Sequence, residues 1–474
     1  MNSVTKRSAE EFLRYFEEFS LIPHGSGNTR LIADYLCGFA RDRGLEYHRD
    51  GADNVIIKKA ATVGYEDRPT VILQGHHDMV EAQTPDCKKD MKLEGLELFR
   101  DGDLLRAKGT TLGGDDGIAL AYALAILDSD SIPHPAIEAL FTSDEEIGLL
   151  GAVALDGSLL DGRIMINIDS DVEGIFTVGC AGGMRTDVTL PLLWEGTVPE
   201  SCYKIECRGF KGGHSGIEID KGRSNAIKVL GECLGAIAGV RVCSIEGGNA
   251  DNAIPRSASA VIMLDRDPTD EVNAAVEGMR EIYFATEEGA EVAVTEVEPA
   301  GRVMSRISSE RAVALLSEMP SGVIAMSEDI PGLVETSLNL GIAGTDESDL
   351  TLSFSIRSAK GAAKRTLADK VRELAEKHTA HASERGEYPA WEYKRDSHLR
   401  DVMKSTYEDM YGKSPEIVTI HAGLECGIFS EKLEGLDCVS IGPDNFDIHT
   451  TEERLSIPSA LRVYEFLLEV LKRI

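Results

Sequence analysis

Residues 70–80 read Thr-Val-Ile-Leu-Gln-Gly-His-His-Asp-Met-Val (TVILQGHHDMV), and this stretch decides the fold class. Its first half is a short, continuously apolar run, the pattern of a strand covered on both faces. Its second half turns abruptly to imidazole and carboxylate. Two more buried-type strands follow at 136–141 and 164–168, and 118–127 (IALAYALAIL), Ala/Leu-rich on every side, reads as a buried helix. Upstream, Ser8-Ala9-Glu10-Glu11 is a capping-box pattern ahead of Phe12, Phe16 and Phe19 on one helix face, and a second helix runs from near Asn28 to Gly44. The alternation predicts an α/β unit with a mainly parallel sheet. Ligands of such sheets gather beyond the carboxyl ends of the strands.

At those ends the sequence repeats one theme. After the first strand comes Gly75-His76-His77-Asp78-Met79-Val80, and before the buried helix comes Leu112-Gly113-Gly114-Asp115-Asp116-Gly117. Strand 136–141 leads to Thr142-Ser143-Asp144-Glu145-Glu146-Ile147-Gly148, and 164–168 leads to Asp169-Ser170-Asp171. Near the end, strand 439–441 leads to Gly442-Pro443-Asp444-Asn445-Phe446-Asp447-Ile448-His449. One acid after a strand is ordinarily a turn residue or a helix cap. Five such sets on one rim point to a shared site. Imidazole and carboxylate suit zinc, with cobalt, nickel, iron or manganese as competitors. Two histidines and three acids suffice for two ions about 3.5–4 Å apart with one acid bridging. Charge agrees: two divalent ions, three carboxylates and a hydroxide come close to neutrality, whereas bare carboxylates are costly to bury.

Composition narrows the function classes. The chain has 474 residues, 42% hydrophobic and 27% charged, as expected of a soluble globular protein with a sizeable core. Its 81 acidic and 49 basic residues give a net charge of −32, which would repel a phosphate backbone or an anionic leaflet, so neither nucleic acid nor membrane is an expected partner. The excess acid reads as a solvated surface. No apolar run reaches the roughly 18 residues of a spanning helix, and 1–11 lacks the apolar segment of a secretory signal. Nine cysteines without paired spacing argue against a disulfide framework, and the expected location is a reducing cytoplasm.

The middle of the chain changes character. Strand 202–208, helix 224–237, strands 240–245 and 258–264, helix 269–285 and strand 291–297 give the order β-α-β-β-α-β of a ferredoxin-like unit. A similar series recurs with a helix at 310–318, a hairpin of 333–340 and 350–357, a helix at 362–379 and a strand near Trp391. After about Asp396 the chain returns to helix–strand–helix–strand–helix order. Two related α+β subdomains therefore interrupt the α/β unit.

The four rim segments that end in His76-His77-Asp78-Met79-Val80, Gly113-Gly114-Asp115-Asp116-Gly117, Asp144-Glu145-Glu146 and Asn167-Ile168-Asp169-Ser170 resemble, in the same order, the metal-site segments of the M20 family of dizinc peptidases. Gly209-Phe210-Lys211-Gly212-Gly213-His214-Ser215-Gly216 resembles that family's lid-domain motif. Ile22-Pro23-His24-Gly25-Ser26-Gly27, Asn252-Ala253-Ile254-Pro255-Arg256 and His421-Ala422-Gly423-Leu424-Glu425-Cys426-Gly427 resemble its aminoacyl-histidine dipeptidase branch. The resemblance covers nearly the whole chain.

Residue by residue, the resemblance implies two divalent metal ions per chain, zinc first with cobalt or manganese as alternatives. Asp115 would bridge them, His76 and Asp169 would complete one position, and Glu146 and His449 the other. Asp78, two residues from His76 and on the same face if the strand continues, would orient that histidine, and Glu145 would be the general base toward metal-activated water. A cis peptide is implied at Asp115–Asp116. In the lid, His214 would face the developing oxyanion, Arg357 would grip the substrate's C-terminal carboxylate, and Asn252 and Gly423 would add hydrogen bonds. His77 points to the opposite strand face and reads as structural, Cys426 as packing, and Asp116, His421 and Glu425 carry no assigned role. Two departures from relatives, Asp116 in place of Asn and Asp447-Ile448-His449-Thr450 in place of Pro-His-Ser-Pro, remove no ligand.

The expected architecture is thus a mainly parallel-sheet dinuclear metallopeptidase domain, 1–184 with 396–474, because His449 must join His76. An inserted lid, 185–395, is made of two ferredoxin-like subdomains. The expected activity is hydrolysis of short peptides, Xaa-His dipeptides such as carnosine above all, with a homodimer compatible with the doubled lid. The alternatives are an amidohydrolase of the aminoacylase or deacetylase kind and a metal-binding protein without turnover.

Overall fold

The computed structural model describes residues 3–196, 201–328 and 330–474, the side chains of 3–10 excepted. The chain divides into two compact units: Met1–Gly179 with Tyr393–Thr419 and Leu424–Ile474, and Cys180–Glu392 with Ile420–Gly423. The cap proposed at Ser8 falls on side chains outside the described residues.

The first unit is built on an eight-stranded sheet. In spatial order its strands are Glu46–Arg49, Val55–Lys59, Ile137–Thr142, Val71–His76, Ile164–Asn167, Asp437–Ser440, Ile175–Cys180 and Glu416–Ile420. The four central strands are parallel, and antiparallel pairs flank them. Central strands are buried on both faces, which is why they read as unbroken apolar runs. Their register sets His76 beside Thr142, Gln74 beside Asn167, and Asn167 beside Ser440. The carboxyl ends therefore open on one rim, where the acidic and histidine segments leave the sheet.

Helix Gly114–Asp128 packs on the central strand Val71–His76 and is buried on nearly every side. Tyr122 on this helix meets Phe12 at 5.0 Å and Tyr464 at 5.2 Å between ring centroids, so helices Ser3–Phe19 and Ile457–Arg473 cover it. The Tyr122 hydroxyl donates to the Ala460 carbonyl at 2.6 Å. At the helix C-terminus Lys59 Nζ donates to the carbonyls of Ile126, Leu127 and Ser129 at 3.1, 3.0 and 2.6 Å, supplying partners that the last turn lacks.

A feature without a sequence signal is the four-stranded sheet Asn445–Phe446, Arg454–Ser456, Leu104–Ala107 and Leu98–Asp101. Its first two strands form a hairpin, with Asn445 opposite Leu455 and Phe446 opposite Arg454. His449 lies at the hairpin tip, where both it and Asp447 have positive φ.

The second unit holds a nine-stranded sheet, and every registered pair in it is antiparallel. Its spatial order is Glu291–Val297, Ser201–Arg208, Ala258–Leu264, Arg241–Gly247, Val334–Thr345, Asp349–Ser358, Gly182–Pro191 and His381–Tyr388, with Gly322–Met326 added along Val334–Thr345. Each half is a ferredoxin-like β-α-β-β-α-β unit, and the two join where Glu246 and Gly247 pair Gly344 and Ala343. The halves are nested: Gly182–Pro191 is the first strand of the outer half, and the whole inner half follows before the outer half's first helix, Arg306–Glu318. The last outer strand is His381–Tyr388. The strand expected near Trp391 is a single bridge from Trp391 to Cys180. HASERGEY is largely exposed and has no apolar alternation to betray it. Helix Thr269–Gly278 also ends earlier than expected, passing into a π-helical turn at Arg280–Phe284.

Gly442, just past the Asp437–Ser440 strand, lies so close to Ser170 that an added Cβ would stand 1.6 Å from the Ser170 carbonyl oxygen. Backbone cannot retreat as a flexible side chain would. Gly442→Ala is expected to destabilise the chain by about 3 kcal/mol, lowering the melting temperature of this large unit by about 6–12 °C in calorimetry. An unchanged melting temperature would refute the close approach.

Candidate metal centre

His76 is the last residue of its strand. Its Nε2 lies 3.0 Å from Asp115 Oδ1 and 3.9 Å from Asp169 Oδ1. The other oxygen of Asp115, Oδ2, lies 3.1 Å from His449 Nε2, and that nitrogen is 2.9 Å from Glu146 Oε1. One carboxylate thus stands between two imidazoles, with one further acid on each side. The Asp115–Asp116 peptide is cis, and both residues have non-helical backbone angles at the head of their helix.

The strand ends at His76, so Asp78 does not share its face by strand continuation. The chain turns out of the sheet, with the His77 N–H on the Thr142 carbonyl and the Met79 N–H on that of His24. Asp78 still reaches His76: Nδ1 lies 3.0 Å from the Asp78 carbonyl oxygen and 3.5 Å from its Oδ1. The Asp78 carboxylate also accepts from Ser26 Oγ at 2.8 Å and from the N–H groups of Glu145 and Glu146 at 3.0 and 3.4 Å. It therefore holds the segment carrying both acids. His77 turns away and contacts the Asp53 carbonyl through Nε2 at 3.0 Å.

Several contributors had no role in the sequence reading. Asp116, buried, accepts the His76 N–H at 3.1 Å. Glu425, fully buried, accepts from Gln74 Nε2 and Thr142 Oγ1 at 2.6 Å each. Glu453 accepts backbone N–H groups of the loop before Asp115. Asp116 and Glu425 were visible only as members of the quoted motifs. Which loop each reaches was not.

Packing so many acids together perturbs their ionisation. Burial, reinforced by the charges of Glu425, Glu146 and Asp115 and opposed by His76, pushes the Glu145 carboxyl up to about 8. Burial and the neighbouring Asp116 likewise hold Asp169 well above the usual carboxylate range. The carboxylates of Asp115 and Glu146, 3.1 and 2.9 Å from its Nε2, raise His449 to about 10. Burial alone would discharge His76, yet its contacts with Asp115 and Asp78 outweigh that and raise it. Burial opposes ionisation of Asp115 too, and the two imidazoles bring it below the ordinary range. Protonated histidines here balance carboxylates as cations would.

Divalent cations fit this donor set. Three groups of ligand-type side chains each bring their donor atoms within 4.8 Å: His76, Asp116 and Asp169; His76, Glu145 and Glu146; Asp115, Glu146 and His449. Asp169 Oδ2 is buried with no hydrogen-bond partner among the described residues, and Glu146 Oε1, although close to His449, lacks hydrogen-bond alignment there. Buried oxygens without a hydrogen-bond partner call for an ion or an ordered water, and a cluster of histidines and acids favours the ion.

A second polar cluster lies within the second unit. His214 Nδ1 accepts from the N–H groups of Gly216 and Ile217 at 3.1 and 3.3 Å, which puts the proton of the neutral ring on Nε2. Burial first, then Arg357, lowers its pKa, so neutrality is favoured. Arg357, 6% exposed, donates Nη1–H to the Tyr388 hydroxyl at 3.0 Å, while its Nε is buried without a partner among the described residues. Gly423 packs on that tyrosine: a Cβ would stand 2.7 Å from its ring. Asn252 accepts the Ser215 N–H on its carbonyl at 2.9 Å, beside the short ladder pairing His214 with Ala253. His421, unassigned from sequence, contacts Ser337 Oγ through Nε2 at 2.7 Å, and burial lowers its pKa to about 4.

Residues 72–473 match the model of Peptidase family M20/M25/M40. The chain is 35% identical over 483 aligned positions to the cytosol non-specific dipeptidase of Escherichia coli, covering all of this chain and 99% of that protein. It is similar to the crystal structure of aminoacylhistidine dipeptidase from Vibrio alginolyticus, with a TM-score of 0.93 and 34% identity over 98% of this chain and 96% of the other. Aminopeptidase PepT from Bacillus cereus shares the fold at a TM-score of 0.57 and 16% identity, covering 98% of each chain.

A site that needs cations should be stabilised by them. Zinc at about a hundredfold excess over its dissociation constant adds about 2.7 kcal/mol, so the melting temperature of chelator-treated protein is expected to rise by about 5–10 °C. Asp169→Asn should shrink the rise. Equal melting curves with and without zinc would count against a metal centre.

Proposed function

The chain belongs to peptidase family M20/M25/M40, and from that membership we propose that it is a dinuclear metal-dependent dipeptidase of the cytosol. Its substrates are short peptides, Xaa-His dipeptides such as carnosine foremost. The observation that carries this reading is Asp115, whose two carboxylate oxygens face His76 and His449 separately. The E. coli and Vibrio relatives, named as dipeptidases and similar over nearly the full length, support the substrate class.

In this reading His76, Asp115 and Asp169 hold one ion and Asp115, Glu146 and His449 the other, zinc suiting the imidazole–carboxylate donors. When bound, the two cations would polarise the scissile carbonyl, acidify the attacking water and neutralise the surrounding carboxylates. Glu145, relieved of that negative field, accepts the proton of the water and returns it to the leaving amine. Asp78 keeps Glu145 in place through its backbone N–H and fixes the orientation of His76. The first unit is the catalytic domain and the second the lid. In the lid, Arg357 has an unpaired Nε ready for a carboxylate, and neutral His214 offers an Nε2–H to a developing oxyanion. Asn252 and Gly423 complete the substrate-binding set.

Glu145→Gln is expected to lower kcat about 10²- to 10⁴-fold while elemental analysis still finds two metals per chain. Persistent turnover would remove Glu145 from its role. Arg357→Ala should reduce kcat/KM for a free dipeptide about 10- to 100-fold, the worth of a charged hydrogen bond, and hardly affect the same dipeptide with an amidated C-terminus. Equal losses on both substrates would rule out the carboxylate clamp. N-acyl amino acids should be hydrolysed more slowly than dipeptides, and the opposite order would favour an aminoacylase.

A further inference from the structure

Glu453 is 2% exposed, and its carboxylate is filled by backbone donors. Oε2 accepts from the N–H groups of Leu112 and Gly113 at 2.7 and 2.9 Å, and Oε1 from those of Gly114 and Asp115 at 2.8 and 3.3 Å. Asn445 Nδ2 adds a fifth contact to Oε1 at 3.2 Å. Gly113, at φ 68, turns the chain just before the helix so that successive amides face one point. Such a concavity selects an anion, and the first N–H groups of a helix have no partners within it. Glu453 is therefore an N-terminal cap delivered from another part of the chain.

What it ties together matters more than the cap itself. Glu453 and Asn445 belong to the hairpin that presents His449, and the hairpin turn is internally braced: the Glu453 N–H donates to Thr450 O at 3.2 Å, and Thr450 Oγ1 to Asp447 O at 2.7 Å. The loop they grip ends on Asp115. The hairpin is also paired to Leu104–Ala107, but among the described residues no backbone hydrogen bond joins 447–452 to residues 112–115, and the carboxylate of Glu453 makes that link directly. The His76 side has its own supports in Asp78 and Asp116.

We propose that Glu453 is a positioning residue that sets His449 against Asp115 and so governs occupancy of one metal position, that of Asp115, Glu146 and His449, more than the other. The inference rests on the two-metal reading above. Losing a buried support of a ligand typically weakens metal affinity 10- to 100-fold. A purely structural cap would lower stability and leave the affinities alone.

The test is calorimetric titration of chelator-stripped protein with zinc, alongside the melting temperature of each metal-free variant. Wild type should take two ions per chain. Glu453→Gln presents an NH₂ to one pair of amides, and its weaker ion should bind at least tenfold less tightly while the tighter ion changes less than threefold. If that variant does not fold, Glu453→Asp, one methylene too short to reach both amide pairs, should show the same split. Two ions bound at wild-type affinities by a folded variant would overturn the proposal and spare the two-metal reading. Fewer than two ions in wild type would overturn that reading, and the proposal with it.

Discussion

The carboxylate of Asp115, one oxygen toward His76 and the other toward His449, is the contact on which the rest depends. Asp115 lies 39 residues from the first histidine and 334 from the second. No local segment can make such a contact. It requires the central strand to end at His76, the buried helix to begin at Asp115, and a C-terminal hairpin to return to the same rim. Each requirement has its own physical support: parallel register for the strand, an aromatic cover and a lysine cap for the helix, and pairing with Leu104–Ala107 for the hairpin. Function here is a constraint on topology before it is a matter of chemistry.

The same contact explains the electrostatics. Asp78, Asp115, Asp116, Glu145, Glu146 and Asp169 converge on two imidazoles, and Asp171 is pushed up to about 7 by burial and the nearby Asp115. Burying several like charges is unfavourable unless opposite charge arrives. In keeping with this, the carboxylates beside His76 and His449 raise their pKa values, and burial raises that of Asp169. The first unit therefore folds around a site whose ionisation is set by what fills it. Glu145 is the sharpest case: burial first, and then the negative charges of Glu425, Glu146 and Asp115, hold its carboxyl up to about 8, and cations would offset those charges.

Much of this was legible in the sequence because two signals coincide. Continuous apolar runs marked the central strands, the acidic and histidine segments at the strand ends and at one helix start marked a shared rim, and the family resemblance singled out His76, Asp115, Glu145, Glu146, Asp169 and His449 within them. What escaped notice has identifiable causes. His381–Tyr388 is exposed and has no alternation. Gly182–Pro191 does alternate, with buried residues in every second place, but it is separated from its companions by the whole inserted half. The hairpin strands near His449 are only two and three residues long. Glu453 lies close to His449 in the sequence, yet spacing along a chain does not reveal that a side chain reaches back to residues 112–115. Asp78 was placed near its target for an inexact reason, since its route leaves the sheet.

The second unit shows how an insertion can gather polar side chains that are distant in sequence. His214 and Asn252 come from the inner ferredoxin-like half, and Arg357, Tyr388 and Ser337 from the outer one. Strand pairing between the halves is slight, confined to Glu246 and Gly247 with Gly344 and Ala343. Side chains extend it: Asn339 of the outer half donates Nδ2–H to the carbonyls of Asp251 and Ala253, at 3.0 and 2.8 Å, on either side of Asn252. Arg185, at the start of the outer half, pairs with Asp251 at 3.0 Å. The polar cluster thus sits on the seam between two folding modules, braced by groups that bind no ligand. Nesting one module within the other gives that seam two covalent crossings instead of one, so the halves cannot drift apart without strain in both connections. The Arg357 guanidinium and the His214 imidazole are thus held by side chains and backbone drawn from both halves.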